Sequence, residues 1–154
     1  MAEEKIVQQV VIALGSNLGD KKSNILQAIS LIEKTIGKVE KVSSFYENPA
    51  AGFESENDFV NACLICQTEL TPLDLLIQLK EFEFQMGRIK TKNSYEDRVI
   101  DLDIIFYGNQ KIELENLTIP HPKYSERDFV LNPISELINN QDSKTFLLIS
   151  QLHK

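Results

Sequence analysis

Signals for strand, helix, strand, strand, helix and strand follow one another along this chain. That order predicts an α+β fold, a ferredoxin-like βαββαβ sandwich with an antiparallel sheet and a C-terminal extension. Three observations carry the expectation. Apolar runs rich in β-branched residues stand at the first, third and fourth strand positions, two helices have marked starts, and the middle strands have hairpin-like connections. At 154 residues, with no internal repeat, low-complexity stretch or linker, the chain reads as one domain over 1–154.

Residues 7–14 are an apolar, β-branched run and read as a central strand. Gly15-Ser-Asn-Leu-Gly-Asp20 is turn chemistry, with Asp20 placed to cap a helix. Ile25, Ala28, Ile29, Ile32 and Ile36 then recur at helical spacing, and Gly37 is a natural C′ stop. A second strand is expected over 38–46 despite poor alternation, then a loop over 48–57 and a strand over 59–68. Thr71-Pro72 starts the next helix, with threonine as N-cap and proline at the first position. Leu73, Leu76, Ile77 and Phe84 are expected to mark its apolar face, and Gly87 its end. A polar loop over 88–97 leads to a strand that ends at the Gly108-Asn109 turn. From Glu113 the chain reads as irregular through Ile119-Pro-His-Pro122. It then reads as helical over 130–138, with one short further helix around 146–153.

Composition narrows the classes of function. Hydrophobic residues at 42% and charged ones at 25% are ordinary for a soluble globular protein. No apolar run approaches a membrane span, and Met-Ala-Glu-Glu-Lys at the N-terminus lacks the regions of a signal peptide, so a cytoplasmic protein is expected. A net charge of −7 argues against a general nucleic-acid surface. Cys63 and Cys66 have C-x-x-C spacing, yet on a strand i and i+3 face opposite sides, so they read as small buried hydrophobes. The basic residues include only three arginines, Arg88, Arg98 and Arg127, which hints at tasks needing a planar, bidentate fork.

The chemistry concentrates in residues 98–106, Arg-Val-Ile-Asp-Leu-Asp-Ile-Ile-Phe. Side chains alternate along a strand, so Asp101 and Asp103 share one face while Ile100, Leu102, Ile104 and Phe106 point into a core. Two acids with Cα atoms roughly 6.6 Å apart can converge on a pair of divalent ions that clamp phosphoryl oxygens. The alternative is an exposed strand face with two charges, but acids at i and i+2 repel unless a cation lies between them. Gly15-Ser-Asn-Leu-Gly could cradle an anion, although it lacks the spacing of a P-loop or dinucleotide fingerprint, and a plain βα turn is the better reading. His121 is held between Pro120 and Pro122, which suits a ligand contact; His153 reads as incidental.

Six segments together closely resemble the 6-hydroxymethyl-7,8-dihydropterin pyrophosphokinases of folate biosynthesis. They are Val11-Ile-Ala-Leu-Gly-Ser-Asn-Leu, Ser43-Ser-Phe-Tyr-Glu-Asn-Pro, Phe59-Val-Asn-Ala, Gly87-Arg-Ile-Lys, Arg98-x-x-Asp-Leu-Asp-Ile and Leu117-Thr-Ile-Pro-His. They occur in the family's order and cover the chain to about Ile138. The resemblance implies transfer of the β,γ-diphosphate of ATP to the pterin's hydroxymethyl oxygen, with release of AMP. It implies two Mg²⁺ ions held by Asp101 and Asp103, and Arg88, Lys90 and Arg98 as catalytic cations beside the phosphates. Lys80, Glu83, Ile104, Thr118, His121 and Arg127, with Arg88 and Arg98, match ATP positions. Asn48, Pro49, Ala51, Phe59, Asn61, Tyr95, Asp101 and Phe129 match the pterin pocket, with Asn61 pairing with the ring's polar edge and aromatics stacking on it.

The chain departs from the family pattern at several places. Glu96-Asp97 replaces a common Gly-Pro before Arg98, Tyr95 a frequent tryptophan, and Pro122 a frequent tyrosine. Lys90 and Asn116 stand where arginine is common, so bidentate phosphate contact is lost at both. The expected partners are the two small-molecule substrates, with neither nucleic acid nor membrane, and a monomer is expected. The residues alone support a Mg²⁺-dependent nucleotide-handling enzyme. Nucleotidyl transfer and a non-catalytic ferredoxin-like binding module are the other readings.

Overall fold

The structure, a computed structural model, describes residues 7–48, 58–87, 99–121 and 128–139, with 48, 128–131, 138 and 139 described by backbone alone. The elements are β1 (Gln8–Ser16), α1 (Lys21–Thr35), β2 (Val39–Val42), β3 (Tyr46–Asn48) and β4 (Phe59–Thr68). They continue with α2 (Pro72–Gln85), β5 (Asp101–Tyr107), β6 (Ile112–Leu114), β7 (Leu117–Ile119) and α3 (Asp128–Asn139). Antiparallel pairing gives a sheet in the order β2-β4-β1-β5, with β3 also on β4, and a separate β6-β7 hairpin. This is a mixed fold of helices and antiparallel sheet.

The sheet is covered on both faces, and β1 is buried from both sides. Val10, Ile12 and Leu14 pack with Ile25, Ala28 and Ile32 of α1 and Leu75, Leu79 and Phe82 of α2. Val11, on the opposite face, packs with Cys63, Ile65, Ile105 and Phe106 under Ile134 and Leu137 of α3. A continuous apolar run is what a strand buried on both faces requires. Cys63 and Cys66 fall into opposite layers, and both are free thiols. Burial pushes both thiols well above the ordinary cysteine range, with the Asp103 charge adding to the effect at Cys63.

Caps define the helices where expected. Asp20 accepts from the Ser23 amide at 3.1 Å, and Thr71 accepts from the Asp74 amide at 3.2 Å ahead of Pro72. Gly87 follows α2 with φ +100°, a conformation that favours glycine. Gly37, expected to act the same way, has no positive φ. A Cβ there would lie 1.8 Å from the Gln67 carbonyl oxygen, so this glycine permits close approach of the chain to β4.

Four further expectations are corrected. The buried face of α2 is Leu75, Leu79 and Phe82 with Leu76 half-buried; Leu73 is exposed, Ile77 is 65% exposed and Phe84 72%. The helix carries two apolar stripes, and periodicity cannot say which meets the sheet. The strand expected over 38–46 is two strands, because Ser43-Ser-Phe breaks the alternation. Ser43 still holds β4 there, its amide donating to the Cys63 carbonyl and its hydroxyl accepting from the Cys63 amide, both at 2.9 Å. On β5 the ladder to β1 slips, Val11 pairing Phe106 and Ile12 pairing Ile104, so Ile105 is one residue extra. Ile100, Leu102 and Ile104 keep to the α1/α2 side, but Phe106 joins the α3 side. Finally, the stretch after Glu113, read as irregular, forms the β6-β7 hairpin. The expected helix at 146–153 lies outside the described residues.

Candidate active site

The strand registers assemble one row of residues across the sheet, on the face that α3 partly covers. Tyr46 of β3 stands opposite Asn61 of β4, Asn61 opposite Gly15 of β1, and Gly15 opposite Asp101 of β5. The neighbouring row is Cys63, Ala13 and Asp103. Two inter-strand spacings put the Asn61 and Asp101 backbones about 10 Å apart, with Gly15 between them.

Gly15 keeps that interval clear. A Cβ on it would lie 2.7 Å from Asn61 Oδ1 and 3.5 Å from Phe59 Cδ1. Phe59, two residues before Asn61, therefore turns its ring toward the same glycine. The result is a floor of bare backbone, with an amide and an aromatic edge on one side and a carboxylate on the other. Asn61 is buried, Phe59, Asp101 and Asp103 are half-buried, and all four engage neighbouring groups.

The outer edge of β5 is also occupied. Glu83, on α2 and only 7% exposed, accepts the Leu102 amide on Oε2 at 2.8 Å, between the two aspartates. The His121 amide donates to the Ile105 carbonyl at 3.1 Å, tying the segment after β7 to the bulged residue. Lys80 lies exposed one turn before Glu83 on α2, and Thr118 is exposed on β7. Ile104 is buried in the α1/α2-side core. Thus Asp101, Asp103, Asn61 and Phe59 share one face of the sheet, while Glu83 and His121 meet the β5 edge.

The Gly15–Gly19 segment behaves as a closed βα turn. Asn24 Nδ2 donates to Ser16 Oγ at 3.2 Å and to the Leu18 carbonyl at 2.8 Å, and Ser16 and Asn17 are fully buried. Pro49, Ala51, Arg88, Lys90, Tyr95, Arg98 and Arg127 lie outside the described residues, as do Glu96, Asp97 and the side chains of Asn48 and Phe129.

Three participants were missed by sequence reasoning. Gly15 was read only as part of a turn, although a glycine closing a β-branched strand signals close approach. Tyr46 and Glu136 form a second feature of the same face. Glu136 of α3 accepts the Ser44 amide at 2.6 Å and the Tyr46 hydroxyl at 2.7 Å, clasping α3 to the β2–β3 corner. Burial raises the Glu136 carboxyl, but these hydrogen bonds outweigh it and hold the group below its ordinary value, while the same bond raises Tyr46. Nothing local to the sequence marks that pair.

A family model described as 7,8-dihydro-6-hydroxymethylpterin-pyrophosphokinase matches residues 11–139. The chain is 40% identical over 131 residues to a 2-amino-4-hydroxy-6-hydroxymethyldihydropteridine pyrophosphokinase of Aquifex aeolicus, covering 85% of this chain and 81% of that protein. It is 42% identical over 135 residues to the bifunctional protein FolKE of Lactococcus lactis subsp. cremoris, covering 87% of this chain but 38% of the larger one. Among solved structures, the wild-type HPPK-DHPS of Plasmodium falciparum with pteroate superposes at TM-score 0.72 and 16% identity. That match covers 99% of this chain and 43% of the other, and at such identity it speaks for the fold.

Proposed function

The chain belongs to the 7,8-dihydro-6-hydroxymethylpterin-pyrophosphokinase family, and we propose that it carries out the family's reaction over the Asn61–Gly15–Asp101 floor. It is an ATP-dependent pyrophosphokinase of folate biosynthesis. The hydroxymethyl oxygen of 6-hydroxymethyl-7,8-dihydropterin attacks the β-phosphorus of ATP. The bond from that phosphorus to the α-phosphate oxygen breaks, AMP leaves, and the hydroxyl proton is lost. Such a transfer needs positioning and charge stabilisation more than a strong base.

The carrying observation is the cross-strand row, in which the buried amide of Asn61 and the carboxylate of Asp101 flank the bare backbone of Gly15, with Asp103 in the next row. Asn61 offers the donor and acceptor needed to read the polar edge of a pterin, and Phe59 an aromatic face beside it. Asp101 and Asp103 receive the phosphate end. Among the described residues no group of three or more His, Cys, Asp or Glu side chains surrounds a metal position. Two carboxylates nonetheless suit Mg²⁺, which keeps waters and substrate phosphates as most of its ligands. The cross-strand partners of the two acids, Gly15 and Ala13, are both small. Two Mg²⁺ ions bound there would neutralise phosphate charge and ease ionisation of the attacking hydroxyl.

The remaining assignments rest on the resemblance: Arg88, Lys90 and Arg98 as phosphate cations, and Lys80, Thr118, His121 and Arg127 toward ATP. Asn48, Pro49, Ala51, Tyr95 and Phe129 complete the pterin pocket. The strand order β2-β4-β1-β5 supports a ferredoxin-like βαββαβ plan in one domain over 1–154, extended at the C-terminus. A monomeric, cytoplasmic enzyme belongs to the same proposal. No helix among the described residues is long and apolar enough to cross a membrane.

Incubation with ATP, Mg²⁺ and hydroxymethyldihydropterin tests the reading. AMP should appear only when the pterin is present. Release of pyrophosphate without AMP would favour nucleotidyl transfer, and no metal-dependent turnover would favour a binding module.

A further inference from the structure

We propose that Glu83 is a positioning residue that sets the orientation of the Asp101–Asp103 pair from behind, through the backbone of β5, rather than by touching the nucleotide. The inference rests on the assignment of those two aspartates to the phosphate end of the site. β5 stands at the end of the β2-β4-β1-β5 order, so β1 supports it along one edge. The Asp101–Ile104 half pairs with Gly15–Ile12 ahead of the extra residue at Ile105, and along its other edge the Leu102 amide is taken by α2 rather than by a strand. The Leu102 amide belongs to the peptide plane that joins Asp101 to Leu102. Holding that amide fixes the twist at Asp101 and, through the next Cα, the direction of Asp103.

Glu83 holds it from the neighbouring helix. The carboxylate is 7% exposed, and its Oε2 lies 2.8 Å from the Leu102 nitrogen. Glu83 comes from α2, which packs on the face of the sheet opposite the two acids, and meets the Leu102 amide at the outer edge of β5. Burying a carboxyl group is costly unless it is hydrogen-bonded, and the Leu102 amide supplies such a bond. The side chain also sits on α2, whose Leu75, Leu79 and Phe82 are locked in the core, so the carboxylate is delivered from a rigid element.

Three variants test this, read first on amide exchange of Leu102 in the substrate-free protein and then on turnover. Glu83→Leu should speed Leu102 exchange at least tenfold while Ile12 and Leu64 stay protected. It should also raise the Mg²⁺ concentration needed for half-maximal rate at least tenfold, with the pterin KM within twofold of the parent. Glu83→Gln keeps an acceptor on the same arm, so it should restore Leu102 protection and most of the Mg²⁺ response. Glu83→Asp, one methylene shorter, should behave like the leucine variant and replaces it if that variant does not fold. Unchanged Leu102 exchange in both the Leu and Asp variants overturns the proposal. So does a glutamine variant that keeps Leu102 protected yet loses ATP affinity, the signature of direct nucleotide contact. If the parent protein makes no AMP from ATP and the pterin, the underlying assignment fails instead, and the exchange data still stand on their own.

Discussion

Replacing Gly15 by alanine isolates the contribution of the bare floor. Its φ is not positive, so alanine meets no backbone strain, and in a strand interior the swap ordinarily stabilises by about 0.5–1 kcal/mol. The new methyl would instead stand 2.7 Å from Asn61 Oδ1, where ordinary contact begins at 3.4 Å, a deficit of 3.4 − 2.7 = 0.7 Å. A movable amide is the atom that gives way. Asn61 must turn aside and lose alignment with the pterin edge, where one or two hydrogen bonds at about 1–1.5 kcal/mol each are at stake. That corresponds to roughly tenfold to hundredfold weaker pterin binding. Titration calorimetry with hydroxymethyldihydropterin and, separately, with an ATP analogue reads the effect, and a thermal melt checks stability. Pterin affinity should fall, ATP affinity should hold within twofold, and the melting temperature should not drop. Asn61→Ala should reproduce the pterin loss. An unchanged pterin Kd in a folded Gly15→Ala protein, or equal losses for both ligands, would refute the reasoning.

Asp101→Ala and Asp103→Ala should each remove most turnover while leaving the melting temperature near that of the parent, because the proposed metal clamp is lost and the core is not; near-normal rates at saturating Mg²⁺ would reject the assignment. Gly37→Ala should lower stability by about 1–3 kcal/mol in chemical denaturation, since the atom it meets is the Gln67 carbonyl oxygen at 1.8 Å and backbone cannot step aside. Glu136 has a depressed folded-state pKa, so its clasp is fully present above the ordinary carboxyl value of 4.5 and is lost as pH falls through the folded value. Glu136→Gln should flatten the acid limb of the stability–pH curve; an unaltered limb would count against the clasp.

The legible parts of this fold are those decided locally. Asp20 and Thr71-Pro72 announced their helices because caps satisfy orphan amides within three residues of the chain. β1 was legible because burial on both faces keeps its Val10–Leu14 centre free of polar residues. What escaped was decided between elements. Leu73/Ile77/Phe84 and Leu75/Leu79/Phe82 are equally good stripes on one helix, and only the approach of the sheet chooses between them. The extra residue at Ile105 exists relative to β1, so no pattern within β5 alone displays it. At the site, Asp101 and Asp103 stood out because two acids at i and i+2 are unusual by themselves. Gly15 acquires its meaning only from Asn61, 46 positions away in sequence (61 − 15), through the register of β1 and β4.

The slip in the β1–β5 ladder also draws a frontier. Without it Phe106 would fall on the α1/α2 side, and the face that α3 covers would lose its largest side chain. With it, one surface of the sheet is apolar at the Val11–Ile65–Phe106 end and polar at the Gly15–Asn61–Asp101 end. Among the described residues, Ile134 and Leu137 of α3 pack on the apolar end. A single surplus residue in one strand thus hands the face beneath α3 its largest aromatic side chain, while the two acids farther along the same strand keep their places opposite Gly15 and Ala13.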